Sequence, residues 1–125
     1  MESIREIFRI GYGPSSSHTM GPRKASELFL KDNIDAKHFE ITLYGSLAAT
    51  GKGHLTDKAI LDVLGRERTK IHWKSDIFLD LHPNAMMFES FDESGNIMQK
   101  RTMYSIGGGK VIEEDSNLGL EIKEV

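Results

Sequence analysis

Residues 38–44 alternate without a break: Phe39, Ile41 and Leu43 fall on one side, Glu40, Thr42 and Tyr44 on the other. A period of two predicts a strand with one apolar and one polar face. Such a strand needs sheet neighbours and a second layer over its apolar side. The flanking sequence offers that layer. Upstream, Pro22 stands where a first helical turn tolerates proline, and Ala25, Leu28 and Phe29 follow at helical spacing. Residues 22–31 therefore read as a helix, ended by Asp32-Asn33. Downstream, Gly45-Ser46 breaks the strand, residues 47–50 suit a short helical turn, and Gly51-Lys52-Gly53 is another break. Thr56 or Asp57 can cap a second helix whose apolar face is Ala59, Ile60, Val63 and Leu64, with Gly65 closing it. Three further strands are predicted. Ile77, Leu79 and Leu81 alternate up to His82-Pro83; residues 86–91 follow; and after a turn at Asp92-Glu93-Ser94-Gly95 the last strand spans residues 97–106. The order α-β-α-β-β-β predicts a single small α+β domain over residues 1–125, with helices on one face of a four-stranded mixed sheet. The acidic tail from residue 113 reads as an extended exit from an unfinished domain, so a piece of a longer polypeptide is expected.

Composition narrows the function classes. The net charge is -3, and the longest basic cluster, residues 66–70, is interrupted by Glu67. Nucleic acid and anionic membrane surfaces are recognised by concentrated basic faces, so neither is an expected partner. No apolar run approaches the ~18 residues of a membrane span, and the first residues lack the basic-then-apolar layout of a signal peptide. A cytoplasmic protein is expected. The chain has no cysteine, so it offers no thiol nucleophile and no thiolate metal ligand. Its five histidines form no recognised metal-ligand spacing; His38 and His72 read as structural residues on strand flanks.

Three loops could carry chemistry. In Gly13-Pro14-Ser15-Ser16-Ser17-His18-Thr19-Met20-Gly21-Pro22, hydroxyls and a histidine precede a helix start. Helix starts present unpaired N–H groups and partial positive charge, which suit a carboxylate or phosphate. The same residues also serve as plain caps and turns. The second loop, residues 45–58, places His54 beside a helix N-terminus. That position disfavours imidazolium and so favours the neutral form that a general base needs. It is not a phosphate loop, because the Gly-Lys-Ser/Thr step at the helix start is missing. The third pairs His82-Pro83-Asn84 with Gly107-Gly108-Gly109. Asn84 offers a donor and an acceptor, matching an amino acid's carboxylate and ammonium. The glycines permit positive φ and close approach of a ligand or another chain.

Four segments together resemble the β domain of the bacterial iron–sulfur L-serine dehydratases. They are residues 13–22, residues 43–48 with 51–59, His82-Pro83-Asn84, and Tyr104-Ser105-Ile106-Gly107-Gly108-Gly109, in that order. Leu55 and Ala85 stand where glycine is more usual in that family. The resemblance implies deamination of L-serine to pyruvate and ammonia, and a fold shared with the intervening domain of some phosphoglycerate dehydrogenases, which binds serine-like or anionic ligands. It also implies a four-iron four-sulfur cluster, held by the cysteines of a separate α domain or subunit, and a homo-oligomeric enzyme. With the roles drawn from residue chemistry, His54 is the first candidate base and His18 the second. Ser15, Ser16, Ser17, Thr19 and Asn84 would hold the substrate, with Gly107, Gly108 and Gly109 lining its site. The rival expectation is a non-catalytic module in which the same loops bind serine or an anion as a regulatory ligand.

Overall fold

The computed structural model describes residues 19–51, 55–79, 81–107, 109–114 and 122–124. Helix α1 spans Gly21–Lys31, strand β1 His38–Tyr44, helix α2 Gly45–Gly51 and helix α3 Thr56–Leu64. A single 3-10 turn at Arg66–Arg68 leads into β2, Thr69–Lys74. Then come β3 at Ala85–Phe91, β4 at Ile97–Gly107, β5 at Lys110–Glu114 and the short β6 at Ile122–Glu124. The six strands form one mixed sheet in the order β2-β1-β3-β4-β5-β6. Only β1 and β2 pair in parallel; each later pairing is antiparallel.

The α+β class and the one-sided helical layer hold, whereas the strand set differs from expectation. The predicted strand at 77–81 is absent: residues 77–79 have no regular structure and Leu81 lies in a bend. The parallel strand is β2 instead. Its inward residues Ile71 and Trp73 are separated by Lys70, His72 and Lys74, so its apolar signal is weak, and it is partly exposed at the sheet edge. The acidic tail is also no plain exit, since β5 and β6 extend the sheet beyond the expected four strands.

One core fills the space between helices and sheet. Phe39, Ile41 and Leu43 of β1 face Phe88 and Met86 of β3, and Ala25 and Phe29 of α1 close over them. Phe29 packs its ring 5.2 Å from that of Phe88 and 6.0 Å from that of Phe39. Burying one such side chain completely contributes about 1.5–3 kcal/mol. Arg68 follows α3, donates to Leu64 O at 2.6 Å and Ala36 O at 3.2 Å, and lies 4.9 Å over the Phe39 ring. These contacts hold the end of α3 beside the start of β1, so α3 begins at the opposite end of the sheet, where β1 finishes.

The end where α1 finishes is tied by polar side chains. Buried Asn33 donates to Phe29 O at 2.8 Å and to Gln99 Oε1 at 2.7 Å, and accepts from Ser90 Oγ at 2.7 Å. Arg101 grips Glu113 through two nitrogens, at 2.7 and 2.8 Å, and reaches Asp32 at 2.8 Å. These bonds join the last turn of α1 to β3, β4 and β5. No helix among the described residues is long and apolar enough to cross a membrane.

Candidate functional site

Strand direction gathers the motifs. β1 ends at Tyr44, β3 begins at Ala85, and β4 turns into β5 after Gly107, all at the same end of the sheet. The connections at that end include the described motif residues 45–51, 82–84, 107 and 109. The first residues of α1 arrive there too. The backbone of Gly21 lies so close to Ser105 of β4 that a methyl group at position 21 would collide with Ser105 Oγ and Cβ. Contacts then run from motif to motif. Gly45 has φ 52°, and a Cβ there would fall 2.7 Å from the Phe78 ring and 2.8 Å from Pro83 O. Ser46 N donates to Pro83 O at 3.2 Å, which joins the start of α2 to the His82-Pro83-Asn84 bend.

Asn84 is the best-defined polar group of this end. Its backbone N donates to His82 Nδ1 at 3.1 Å, which places the proton of a neutral His82 on Nε2. Its backbone O accepts from Ser105 N at 3.0 Å. Its side-chain Nδ2 donates to Ser105 O at 3.2 Å, while Oδ1 is shielded from solvent and has no hydrogen-bond partner among the described residues. A buried acceptor left unpaired costs about 1–3 kcal/mol. Thr69 Oγ1 is also buried without a partner, but it lies at the start of β2, outside the motifs.

Two helices start at this end without a side-chain cap. Thr19 and Met20 lead into α1 as a π-helical turn, Leu55 precedes α3, and neither Met20 nor Leu55 makes a side-chain capping bond. The expected cap at Thr56 or Asp57 is therefore corrected: Thr56 is already the first helical residue, and Asp57 Oδ1 accepts from Lys58 N instead. Leu55 sits at φ 82°, the one positive-φ residue other than glycine among those described. That conformation explains why glycine suits the position; Ala85, in contrast, is an ordinary strand residue. A helix start carries the positive end of the helix dipole, which favours a nearby anion.

The structure places the predicted residues unevenly. Thr19 is half-buried just before α1, and Asn84 is half-buried in the bend before β3. Gly107 and Gly109 hold φ of 102° and 78° at the β4–β5 hairpin, and Gly107 pairs with Lys110. Among the described residues, no atom lies within 4 Å of a Cβ built on Gly107, and one on Gly109 would meet only Met20, at 3.4 Å or more. Both glycines hold conformations that the turn requires. Ser15, Ser16, Ser17, His18, His54 and Gly108 lie outside the described residues. Ser105 was not among the predicted site residues, although it touches Gly21 and bonds Asn84. The only sequence signal was its membership in the segment 104–109.

The outer face of the sheet holds a separate cluster. His72 Nε2 lies 2.7 Å from Glu40 Oε1, and His38 Nε2 lies 3.1 Å from Glu40 Oε2. Hydrogen bonds from His72 and then His38 hold the Glu40 carboxyl below its ordinary value. Both histidines keep structural roles, as expected, tying β1 within itself and to β2. At the motif end, burial first and Glu89 second push the Tyr44 hydroxyl up. Among the described residues no group of three or more His, Asp or Glu is arranged to hold a metal ion.

A family model described as the serine dehydratase beta chain matches residues 3–68 and 61–116. An L-serine dehydratase of Haemophilus influenzae is 34% identical, over 98% of this chain and 36% of the relative. One of Helicobacter pylori is 35% identical, over 90% of this chain and 33% of the relative. L-serine dehydratase 1 of Escherichia coli is 31% identical, over 92% and 34%. The chain spans about a third of the length of these curated relatives.

Proposed function

The chain belongs to the serine dehydratase β-chain family, and from that premise we propose that it forms the substrate-holding part of an L-serine ammonia-lyase. Its reaction would convert L-serine to pyruvate and ammonia. One observation carries this reading. All four motifs bring their described ends to the same end of the sheet, where α3 starts without a side-chain cap bond and a buried Asn84 oxygen has no partner. Elsewhere polar networks such as that of Asn33 are paired, as structural networks are. A buried acceptor without a partner beside a helix start is what the ammonium group of a small zwitterion would complete.

The chemistry must remove a weakly acidic proton from Cα and expel a poor leaving group. His54 is assigned the first task, with His18 as the second candidate. The hydroxyls of Ser15, Ser16, Ser17 and Thr19 hold the carboxylate, helped by the positive ends of α1 and α3. Asn84 completes the pocket, and Gly107, Gly108 and Gly109 shape its wall. The enamine left by elimination tautomerises and hydrolyses to pyruvate and ammonia. The family's four-iron four-sulfur cluster finds no home in this chain, which has no cysteine thiolates and no three-ligand group among the described residues. We assign the cluster, and the Lewis acidity it supplies when bound, to a separate α domain or subunit. The working enzyme in this reading is cytoplasmic and homo-oligomeric.

The test is His54→Ala in the assembled enzyme. Loss of a general base lowers kcat by about 10²–10⁴-fold and leaves serine binding nearly intact. A kcat within a few-fold of the parent would remove His54 from the mechanism. Unchanged activity in His18→Ala as well would favour a regulatory serine-binding module.

A further inference from the structure

The Asn84 side chain has one hand occupied and one free, and the geometry says which. Its Nδ2 faces the carbonyl oxygen of Ser105 at 3.2 Å. A carbonyl cannot donate, so the amide cannot be turned the other way without setting two acceptor oxygens against each other. One N–H of the amide is thereby committed to β4. Oδ1 is an acceptor shielded from water and without a partner.

We infer that Asn84 reads the α-ammonium group of the ligand through Oδ1, and so selects amino acids over acids that lack the amino group. The inference rests on the serine reading above. A zwitterion needs opposite partners for its two charges. Helix starts favour its carboxylate, and a fixed amide oxygen favours its ammonium, which forms the stronger, charge-assisted kind of hydrogen bond. The backbone on either side is pinned: Asn84 N is held by His82 and Asn84 O by Ser105 N. The oxygen is therefore preorganised and little freedom is lost when it is engaged. It is covered in the ligand-free chain, so binding must also displace the atoms over it.

Two variants separate the acceptor from the donor. Asn84→Ala removes both; Asn84→Asp removes the donor to Ser105 and keeps an acceptor. L-serine and 3-hydroxypropanoate, which lacks only the amino group, are titrated calorimetrically into the full chain, alone and assembled with its catalytic partner. The parent is expected to bind L-serine about 10–100-fold more tightly than 3-hydroxypropanoate, the range for one hydrogen bond to a charged group. Asn84→Ala should lose most of that factor for L-serine and leave 3-hydroxypropanoate within a few-fold. Asn84→Asp should keep L-serine affinity while its Tm falls as the alanine variant's does. Equal loss for both ligands, or an aspartate variant no better than alanine, overturns the inference and leaves Asn84 a brace for Ser105. Equal affinity of the parent for the two ligands overturns it without any variant. Failure of the parent to bind L-serine in either form overturns the serine reading and this inference with it.

Discussion

Leu55 holds φ at 82°, where an L side chain costs roughly 1–2 kcal/mol and glycine pays no such steric penalty. Its side chain recovers little of that, being 56% exposed. Leu55→Gly is therefore expected to stabilise the chain by about 0.5–1 kcal/mol, the strain relieved less the extra freedom glycine has when unfolded. Urea unfolding measures it, and an equal or lower midpoint would mean that Leu55 makes compensating contacts. Gly21 presents the converse case. Nothing about its φ calls for glycine, yet no side chain fits between α1 and Ser105. Both facts bear on what a residue-by-residue reading can see. The resemblance to the family marked position 55 as unusual for leucine, but the closeness of residues 21 and 105 exists only in three dimensions.

At the level of elements, legibility followed the strength of the apolar period. α1, β1, α3, β3 and β4 carry clear repeats and lie close to their expected places. β2 does not, because an edge strand needs only half its residues against the core and spends the others on Lys70, His72 and Lys74. The run Ile77, Leu79, Leu81 alternates as a strand should, yet Phe78 between them packs over Gly45 and residues 77–79 have no regular structure. Periodicity reports which residues are apolar, not whether a neighbouring strand exists to pair them. The candidate site was legible as four motifs but not as a place, since their meeting depends on the direction of each strand. The edge strand also gives a pH prediction. Glu40 is held below its ordinary value of 4.5 by His72 and His38. A carboxylate of depressed value contributes stability that is full above the ordinary value and is lost as pH falls through the folded one. Below about pH 4.5 the parent should lose stability, with faster amide exchange in β2. Glu40→Gln should be less stable at pH 7 and show a flatter acid limb. An acid limb as steep as the parent's would show that other carboxylates carry the dependence.

On the scale of the whole molecule, the two ends of the sheet differ in kind. One is joined by Asn33 and Arg101, whose bonds reach Phe29, Ser90, Gln99, Asp32 and Glu113. The other keeps the start of α3 without a side-chain cap bond and an unpaired oxygen. In the proposed two-part enzyme this chain, which has no cysteine, is expected not to catalyse by itself. Purified anaerobically with iron and sulfide, it is expected to stay colourless and to form no pyruvate from L-serine; a stable cluster spectrum or turnover would refute the two-part enzyme. The seating of α1 on β4 has a further consequence, in time. Asn33 meets Gln99 across 66 residues of chain and Asp32 meets Arg101 across 69. Helices and hairpins close quickly from local contacts, whereas pairings this distant in sequence must first overcome the entropy of a long open loop. During synthesis, Gly21 has no surface to lean on until Ser105 has left the ribosome, so the end of the sheet that holds the motifs is completed only after β4 has been made.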